Sequence, residues 1–76
     1  MKVEILVTRT CHHIPVLKNE LNRMGIPYSI RYIEENPELK KKFNLMGSPN
    51  ILVDDELVFR GMPSISDLEA YFKKRA

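Results

Sequence analysis

The sequence predicts an α/β domain in which helices flank a four-stranded mixed sheet, with elements in the order β-α-β-α-β-β-α. Three observations predict this fold. An apolar run at residues 3–8 is followed directly by apolar residues at helical spacing. Asn-Pro-Glu at residues 36–38 has the composition of a helix start. Two apolar triplets, 51–53 and 57–59, enclose the acidic residues 54–56, which is typical of an antiparallel hairpin that turns at those acidic residues.

Length and composition limit the classes of protein to consider. The 76 residues are interpreted as one domain, residues 1–76, with 43% apolar and 29% charged side chains, as in soluble globular proteins. A net charge of +2 is too small to indicate a nucleic-acid partner. The apolar runs fall short of membrane-spanning length and no signal-peptide pattern opens the chain, so we expect a cytoplasmic monomer with no membrane partner. The single cysteine excludes an internal disulfide and a zinc site built on cysteine pairs.

The first half of the chain predicts a strand–helix–strand unit. Residues 3–8 are apolar at nearly every position, interrupted mainly by Glu4, which is typical of a strand buried on both faces. Pro15 suits the first turn of a helix, and Gly25 suits its end. The inner face of this helix is predicted to carry Ile14, Leu17, Leu21 and Met24. A second strand is predicted at residues 28–33, and the strand–helix–strand order implies that it is parallel to the first, with a right-handed crossover.

The next segment predicts a second helix. Asn36 is a suitable N-cap and Pro37 a suitable first residue, while Gly47 is predicted to end the helix. Its inner face is predicted to carry Leu39, Phe43 and Met46.

A last helix is predicted after the hairpin. Ser64 with Asp67, or Ser66 with Glu69, forms a capping pair, and the sequence leaves both pairs open. The inner face of this helix is predicted to carry Ile65, Leu68 and Phe72, flanked by Tyr71.

Cys11 is the residue on which the functional interpretation depends. It lies at the junction of the first strand and the first helix, where free backbone N–H groups and the helix dipole favour a thiolate, the nucleophilic form. A free cysteine is also commonly a small buried hydrophobe, and the junction alone does not separate the two interpretations. His12 and His13 follow directly, and a protonated imidazole lowers the pKa of a nearby thiol. The alternatives are two exposed histidines without a role, or a metal site with Cys11, which the diverging directions of adjacent side chains disfavour.

The order of the elements, and the glycines, prolines and capping residues that bound them, resemble those of the thioredoxin fold in its small glutaredoxin-like form. The resemblance covers nearly the whole chain. That family carries its nucleophile in a Cys-x-x-Cys motif, which here reads Cys-His-His-Ile at residues 11–14. Cys11 matches the attacking cysteine, and Ile14 stands where the family has its second, resolving cysteine. Ser48-Pro49 matches the family's cis-proline before the third strand, and Gly61 matches a glycine before the last helix.

The resemblance implies a cis peptide bond at Ser48-Pro49, which would present the Ser48 backbone beside Cys11 to pair with an extended substrate. An Xaa-Pro bond needs only about 0.5–1 kcal/mol to adopt the cis form. The alternative is a trans proline that begins a strand.

The resemblance also implies monothiol thiol–disulfide exchange. Cys11 would be the nucleophile, and His13, which holds the position of histidine in disulfide isomerase motifs, would stabilise its thiolate. Substrate-binding residues would be Ser48, Pro49, His12 and Gly61. The implied partner is glutathione or a protein cysteine, with no bound cofactor and no metal, and glutathione is a candidate co-substrate. Because a second thiol is missing, an outside thiol must release the mixed disulfide.

The sequence leaves two other functions open. The fold could serve as a redox-inactive binding module that docks a partner or an extended peptide. Cys11 could instead be a thiol sensor that is oxidised to sulfenic acid or capped by glutathione.

Overall fold

The computed structural model describes residues 1–75, so Ala76, the last residue of the predicted domain, lies outside the described residues. The strands are β1 (Val3–Val7), β2 (Ser29–Tyr32), β3 (Asn50–Val53) and β4 (Glu56–Arg60). The helices are α1 (Ile14–Arg23), α2 (Pro37–Phe43) and α3 (Ile65–Arg75), and a 3₁₀ turn covers Ile33–Glu35. The predicted order of strands and α-helices is confirmed.

The four strands form one mixed sheet in the order β2-β1-β3-β4. β1 runs parallel to β2 and antiparallel to β3, and β3 pairs antiparallel with β4. Leu6 lies opposite Asn50, and Asn50 lies opposite Arg60. The ends of β1, β2 and β4 and the start of β3 therefore lie at one edge of the sheet. We call this edge, with its connecting segments 8–13, 33–36, 44–49 and 61–64, the Cys11 edge.

The two central strands are buried along their whole length, as predicted for β1. Alternate residues of β1 point to opposite faces of the sheet. Ile5 joins the larger cluster, which includes Leu17 of α1 and Leu68 of α3, whereas Leu6 joins a smaller cluster beside α2. The interrupting Glu4 is also buried, and its carboxylate pairs with the cations of Lys2 and Arg31, which replace its lost hydration.

Helix α2 ends earlier than predicted. Asn44 adopts the left-handed conformation with φ 52°, so the end lies there and not at Gly47. The N–H of Leu45 then donates to the carbonyl of Lys40 at 3.0 Å, as in a Schellman motif. This turn buries Leu45, which is 3% exposed, and leaves Met46 89% exposed. The prediction that Met46 belongs to the inner face is therefore wrong, because the helix has already ended.

Helix α3 begins after a serine cap. The Ser64 Oγ accepts a hydrogen bond from the N–H of Asp67 at 3.1 Å, which selects the first of the two predicted capping pairs. Leu68 and Phe72 are buried as predicted, but Ile65 is 45% exposed. Side chains on a helix lean toward its N-terminus, so the side chain of the first helical residue reaches past the end of the core.

The hairpin turn is one residue shorter than predicted. Asp54 and Asp55 form it alone, with φ angles of 51° and 67°, and Glu56 already belongs to β4. Two successive positive φ angles define the type I′ turn that matches the twist of paired strands. Asp54 also accepts a hydrogen bond from the N–H of Lys2 at 2.8 Å, which gives the first turn position a second role.

Replacing Asp55 with glycine is expected to stabilise the protein by about 1 kcal/mol, because glycine adopts a positive φ without a Cβ penalty. Chemical denaturation measures this change. The matched control is Asp55→Ala, which also removes the weak exposed pair with Lys2 but keeps a Cβ, and it should be less stable than the wild type. A lower denaturation midpoint for the glycine variant would contradict the prediction.

Candidate functional site

Cys11 lies at the end of a tight turn that follows β1. Its N–H donates to the carbonyl of Thr8 at 3.1 Å, which closes the turn. The side chain of Cys11 is half-buried and packs against the larger core cluster. Helix α1 begins three residues later at Ile14, with Pro15 in its first turn and His13 as the N-cap. The thiol therefore lies just outside the helix, on a turn held between the strand and the helix.

The second part of the site is the loop before β3. The peptide bond between Ser48 and Pro49 is cis, the isomer expected from the resemblance. The Ser48 Oγ accepts a hydrogen bond from the N–H of Thr8 at 3.1 Å, so this loop is tied directly to the turn that carries Cys11. Pro49 is buried, and its carbonyl accepts a hydrogen bond from the N–H of Gly61 at 2.8 Å.

Gly61 completes this connection. Its φ of +95° is a conformation that other residues rarely adopt, and it brings the segment after β4 against the carbonyl of Pro49. The structure thus places Cys11, Ser48, Pro49 and Gly61 on a connected set of backbone segments at the Cys11 edge.

The two histidines differ from these residues in being exposed. His13 has φ −86° and ψ −7°, and its side chain makes no capping hydrogen bond to α1. Within residues 1–75, no hydrogen bond joins either His12 or His13 to Cys11.

A second connection to the Cys11 turn comes from the segment after β2. The N–H of Arg9 donates to Oε2 of Glu34 at 3.0 Å. This hydrogen bond, followed by one from the N–H of Glu34 itself, holds the pKa of that carboxyl below its usual value. The Arg9 guanidinium pairs with the carboxylate of Glu35 and lies 4.5 Å from the centre of the Tyr32 ring.

Two shallow grooves flank the exposed side chain of Met46. One, of about 410 Å³, reaches from Thr8 to Lys40. The other, of about 300 Å³, includes Arg60 and Gly61. No acidic side chain among residues 1–75 lines either groove. The surface beside the cis-proline loop therefore combines an apolar ridge, which is the side chain of Met46, with one basic residue on each side, Lys40 and Arg60.

Among residues 1–75, no group of three or more His, Cys, Asp or Glu side chains is arranged to hold a metal ion. None of the helices in that range has the length and apolarity needed to cross a bilayer.

Comparison with known proteins agrees with this geometry. The sequence model of the thioredoxin domain matches residues 1–73. The chain belongs to the thioredoxin-domain family. A thioredoxin from Methanocaldococcus jannaschii is 28% identical over 81 residues, which cover 99% of this chain and 95% of that protein.

Solved thioredoxin-fold structures are also similar. The NTD_N/C domain of the alkylhydroperoxide reductase AhpF from Enterococcus faecalis superposes with a TM-score of 0.72 and 32% identity over 91% of this chain. The present chain spans 36% of that one. Thioredoxin 1 from Thermosipho africanus gives a TM-score of 0.69 at 17% identity, covering 99% of this chain and 98% of its own. The predicted thioredoxin-like fold is confirmed.

Three residues at the candidate site were not predicted from the sequence. Thr8 and Glu34 contact the site through hydrogen bonds to residues 40 and 25 positions away, and such pairs leave no local pattern. Met46 had the spacing of a helix inner face. The signal that could have corrected this interpretation was Asn44, because asparagine is the non-glycine residue that most often ends a helix in the left-handed conformation.

Proposed function

We propose that this thioredoxin-family protein exchanges thiols and disulfides through Cys11 alone, with a cysteine of a partner protein as its substrate. The observation that carries the proposal is the hydrogen bond from Thr8 to Ser48, which ties the turn holding a half-buried thiol to the cis-proline loop. The similar proteins support a redox role, since one is a thioredoxin and another a domain of an alkylhydroperoxide reductase.

The proposed reaction is a two-step exchange. The Cys11 thiolate attacks one sulfur of a mixed disulfide or protein disulfide, that S–S bond breaks, and the other sulfur leaves as a thiolate that takes a proton from water. Cys11 is then joined to the substrate by a new disulfide. An external thiol, for which we propose glutathione, attacks this disulfide and returns Cys11 to the thiolate, so no bound cofactor is needed.

The surrounding residues have proposed roles in this exchange. The backbone of Ser48 pairs with the extended substrate, and Pro49 and Gly61 shape the groove that receives it. The imidazolium of His13 favours the thiolate, and the exposed His12 contacts the bound substrate. We propose that these steps occur in the cytoplasm, where free thiols persist.

The surface beside the site favours a polypeptide over glutathione alone. Met46 is 89% exposed and lines both grooves, so an apolar side chain of a bound peptide can pack against it. Lys40 and Arg60 line the two grooves beside it. A substrate cysteine flanked by an apolar residue and an acidic residue would match this arrangement of ridge and charges.

The test is exchange with a peptide whose cysteine is capped by glutathione. We expect wild-type protein to form a covalent adduct at Cys11, detected by intact mass. Cys11 should attack the capped peptide about tenfold faster than the thiol of an unstructured cysteine peptide does. Added glutathione should release the adduct. Cys11→Ser should form no adduct while keeping the fold.

The control for the substrate class is Met46→Ser, which removes the ridge without touching Cys11. It should slow exchange with the capped peptide and leave exchange with glutathione disulfide unchanged. If Cys11 reacts no faster than the free-cysteine peptide, the proposal is wrong and a binding module is the better interpretation.

A further inference from the structure

The turn that carries Cys11 is held by side chains from two other loops. The N–H of Thr8 donates to Oγ of Ser48, and the N–H of the next residue, Arg9, donates to Oε2 of Glu34. In an exposed turn, such N–H groups would ordinarily be satisfied by water. Here two consecutive N–H groups each have a side-chain acceptor, at 3.1 and 3.0 Å, so the start of the turn is fixed on both sides.

The segment that provides Glu34 is itself well ordered by hydrogen bonds. Ile33 is buried, and its carbonyl accepts the N–H of Asn36 at 3.1 Å. Asn36, predicted as a helix cap, makes no capping hydrogen bond with its side chain. Its amide donates instead to the carbonyl of Tyr32 at 2.9 Å, and its Oδ1 accepts from Arg31 at 2.9 Å. The Glu34 carboxylate therefore lies on a turn that is ordered by hydrogen bonds, and it can hold a hydrogen-bond donor in a fixed place.

The two neighbouring carboxylates act on different parts of Arg9. Glu34 accepts the backbone N–H, whereas Glu35 pairs with the guanidinium. The second pair has both side chains more than half exposed, and exposed ion pairs contribute little. The guanidinium also keeps its contact with the Tyr32 ring if Glu35 is lost. Of these two carboxylates, Glu34 is therefore the one that acts on the backbone of the turn.

We propose that Glu34 is a positioning residue for Cys11: it holds the Arg9 N–H and thereby fixes the turn that carries the thiol. The lowered pKa of Glu34 agrees with this role, since the ionised carboxylate is the better acceptor. The effect on reactivity rests on the proposed exchange function, whereas the hold on the turn does not.

The experiment compares Glu34→Leu with Glu34→Gln and with Glu35→Leu. Leucine has no acceptor, whereas glutamine keeps an oxygen that can accept the Arg9 N–H. Two quantities are measured: hydrogen exchange of the Arg9 amide, and the rate at which Cys11 attacks a small aromatic disulfide that releases a coloured thiolate. Glu34→Leu should speed amide exchange and slow the attack, each by about fivefold to tenfold. Glu34→Gln should keep most of the wild-type protection of the Arg9 amide and most of the wild-type rate of attack. Glu35→Leu should leave both rates within about twofold of wild type.

Some results would overturn the proposal. One is an Arg9 amide exchange rate that is unchanged in Glu34→Leu. Another is a Glu35→Leu variant in which amide exchange and the rate of attack change as much as they do in Glu34→Leu. Glu34→Ala repeats the test if the leucine variant fails to fold. If wild-type Cys11 does not attack the disulfide, the proposed function fails, and amide exchange still decides whether Glu34 holds the turn.

Discussion

Replacing Ile14 with cysteine is expected to turn the protein into a working dithiol reductase. Ile14 is the first residue of α1, and it packs partly buried against the same core cluster as Cys11. Two residues, His12 and His13, lie between the two positions, a spacing that is compatible with a disulfide across a helix start. The introduced thiol would attack Cys11 in the mixed disulfide, release the substrate as a free thiol and leave an internal disulfide.

The expected gain is large because an intramolecular attack replaces a reaction with an outside thiol. Turnover of a model protein disulfide, driven by a dithiol reductant, should rise by about 100-fold over the wild type. Ile14→Ser is the matched control, since it makes the same change in size without a thiol and should gain nothing. Cys11→Ser combined with Ile14→Cys should also be inactive.

A contrary result would be informative about the groove. An Ile14→Cys variant that forms the internal disulfide yet reduces no protein substrate would show that the second thiol is not the only missing part. Together with a wild-type Cys11 that reacts like an ordinary free thiol, this result would replace exchange with binding as the function of the site.

Replacing Phe72 with alanine is expected to cause the largest loss of stability. Phe72 is 2% exposed in α3, lies in the larger core cluster and meets the Tyr71 ring edge-on at 5.2 Å between centroids. Removing a buried phenylalanine side chain costs about 3–5 kcal/mol, because burial is lost and a cavity remains. Small domains have only about 5–15 kcal/mol of stability in total, so a large part of it would disappear. Urea denaturation followed by circular dichroism measures the change.

Two variants in the same helix control this measurement. Phe72→Leu keeps most of the buried apolar volume and should cost about 1.5 kcal/mol or less. Ile65→Ala changes a residue that is 45% exposed, so its cost should be near 0.5 kcal/mol, roughly that of a surface substitution. A loss at Ile65 as large as that at Phe72 would mean that the first turn of α3 is part of the core after all.

Much of the fold could be predicted because its signals are local. The mostly apolar run of β1 predicted a strand buried on both faces, and Gly25 predicted the end of α1, where its φ is +70°. Ser64 lies three residues before Asp67, its hydrogen-bond partner, so the capping pattern in the sequence already contained this pair. In each case, the residues that decide the conformation are neighbours along the chain.

The candidate site could be predicted only where it repeats a known pattern. Cys11, Ser48-Pro49 and Gly61 were identified because their order and spacing resemble those of the thioredoxin family. The same reasoning placed Met46 inside the core, because helical spacing continues past Asn44, and nothing in the spacing itself marks the left-handed turn at that residue.

The order of the elements, the buried first strand and the position of a lone thiol after it could all be predicted from the sequence alone. The way in which that thiol is held depends on contacts between segments that are distant in the sequence. Thr8 meets Ser48 across 40 residues, and Arg9 meets Glu34 across 25. These contacts require the strands to be paired in register, which brings four connecting segments to one edge of the sheet. Their energy depends on distances set by packing of the whole chain, and no periodicity of neighbouring residues encodes it.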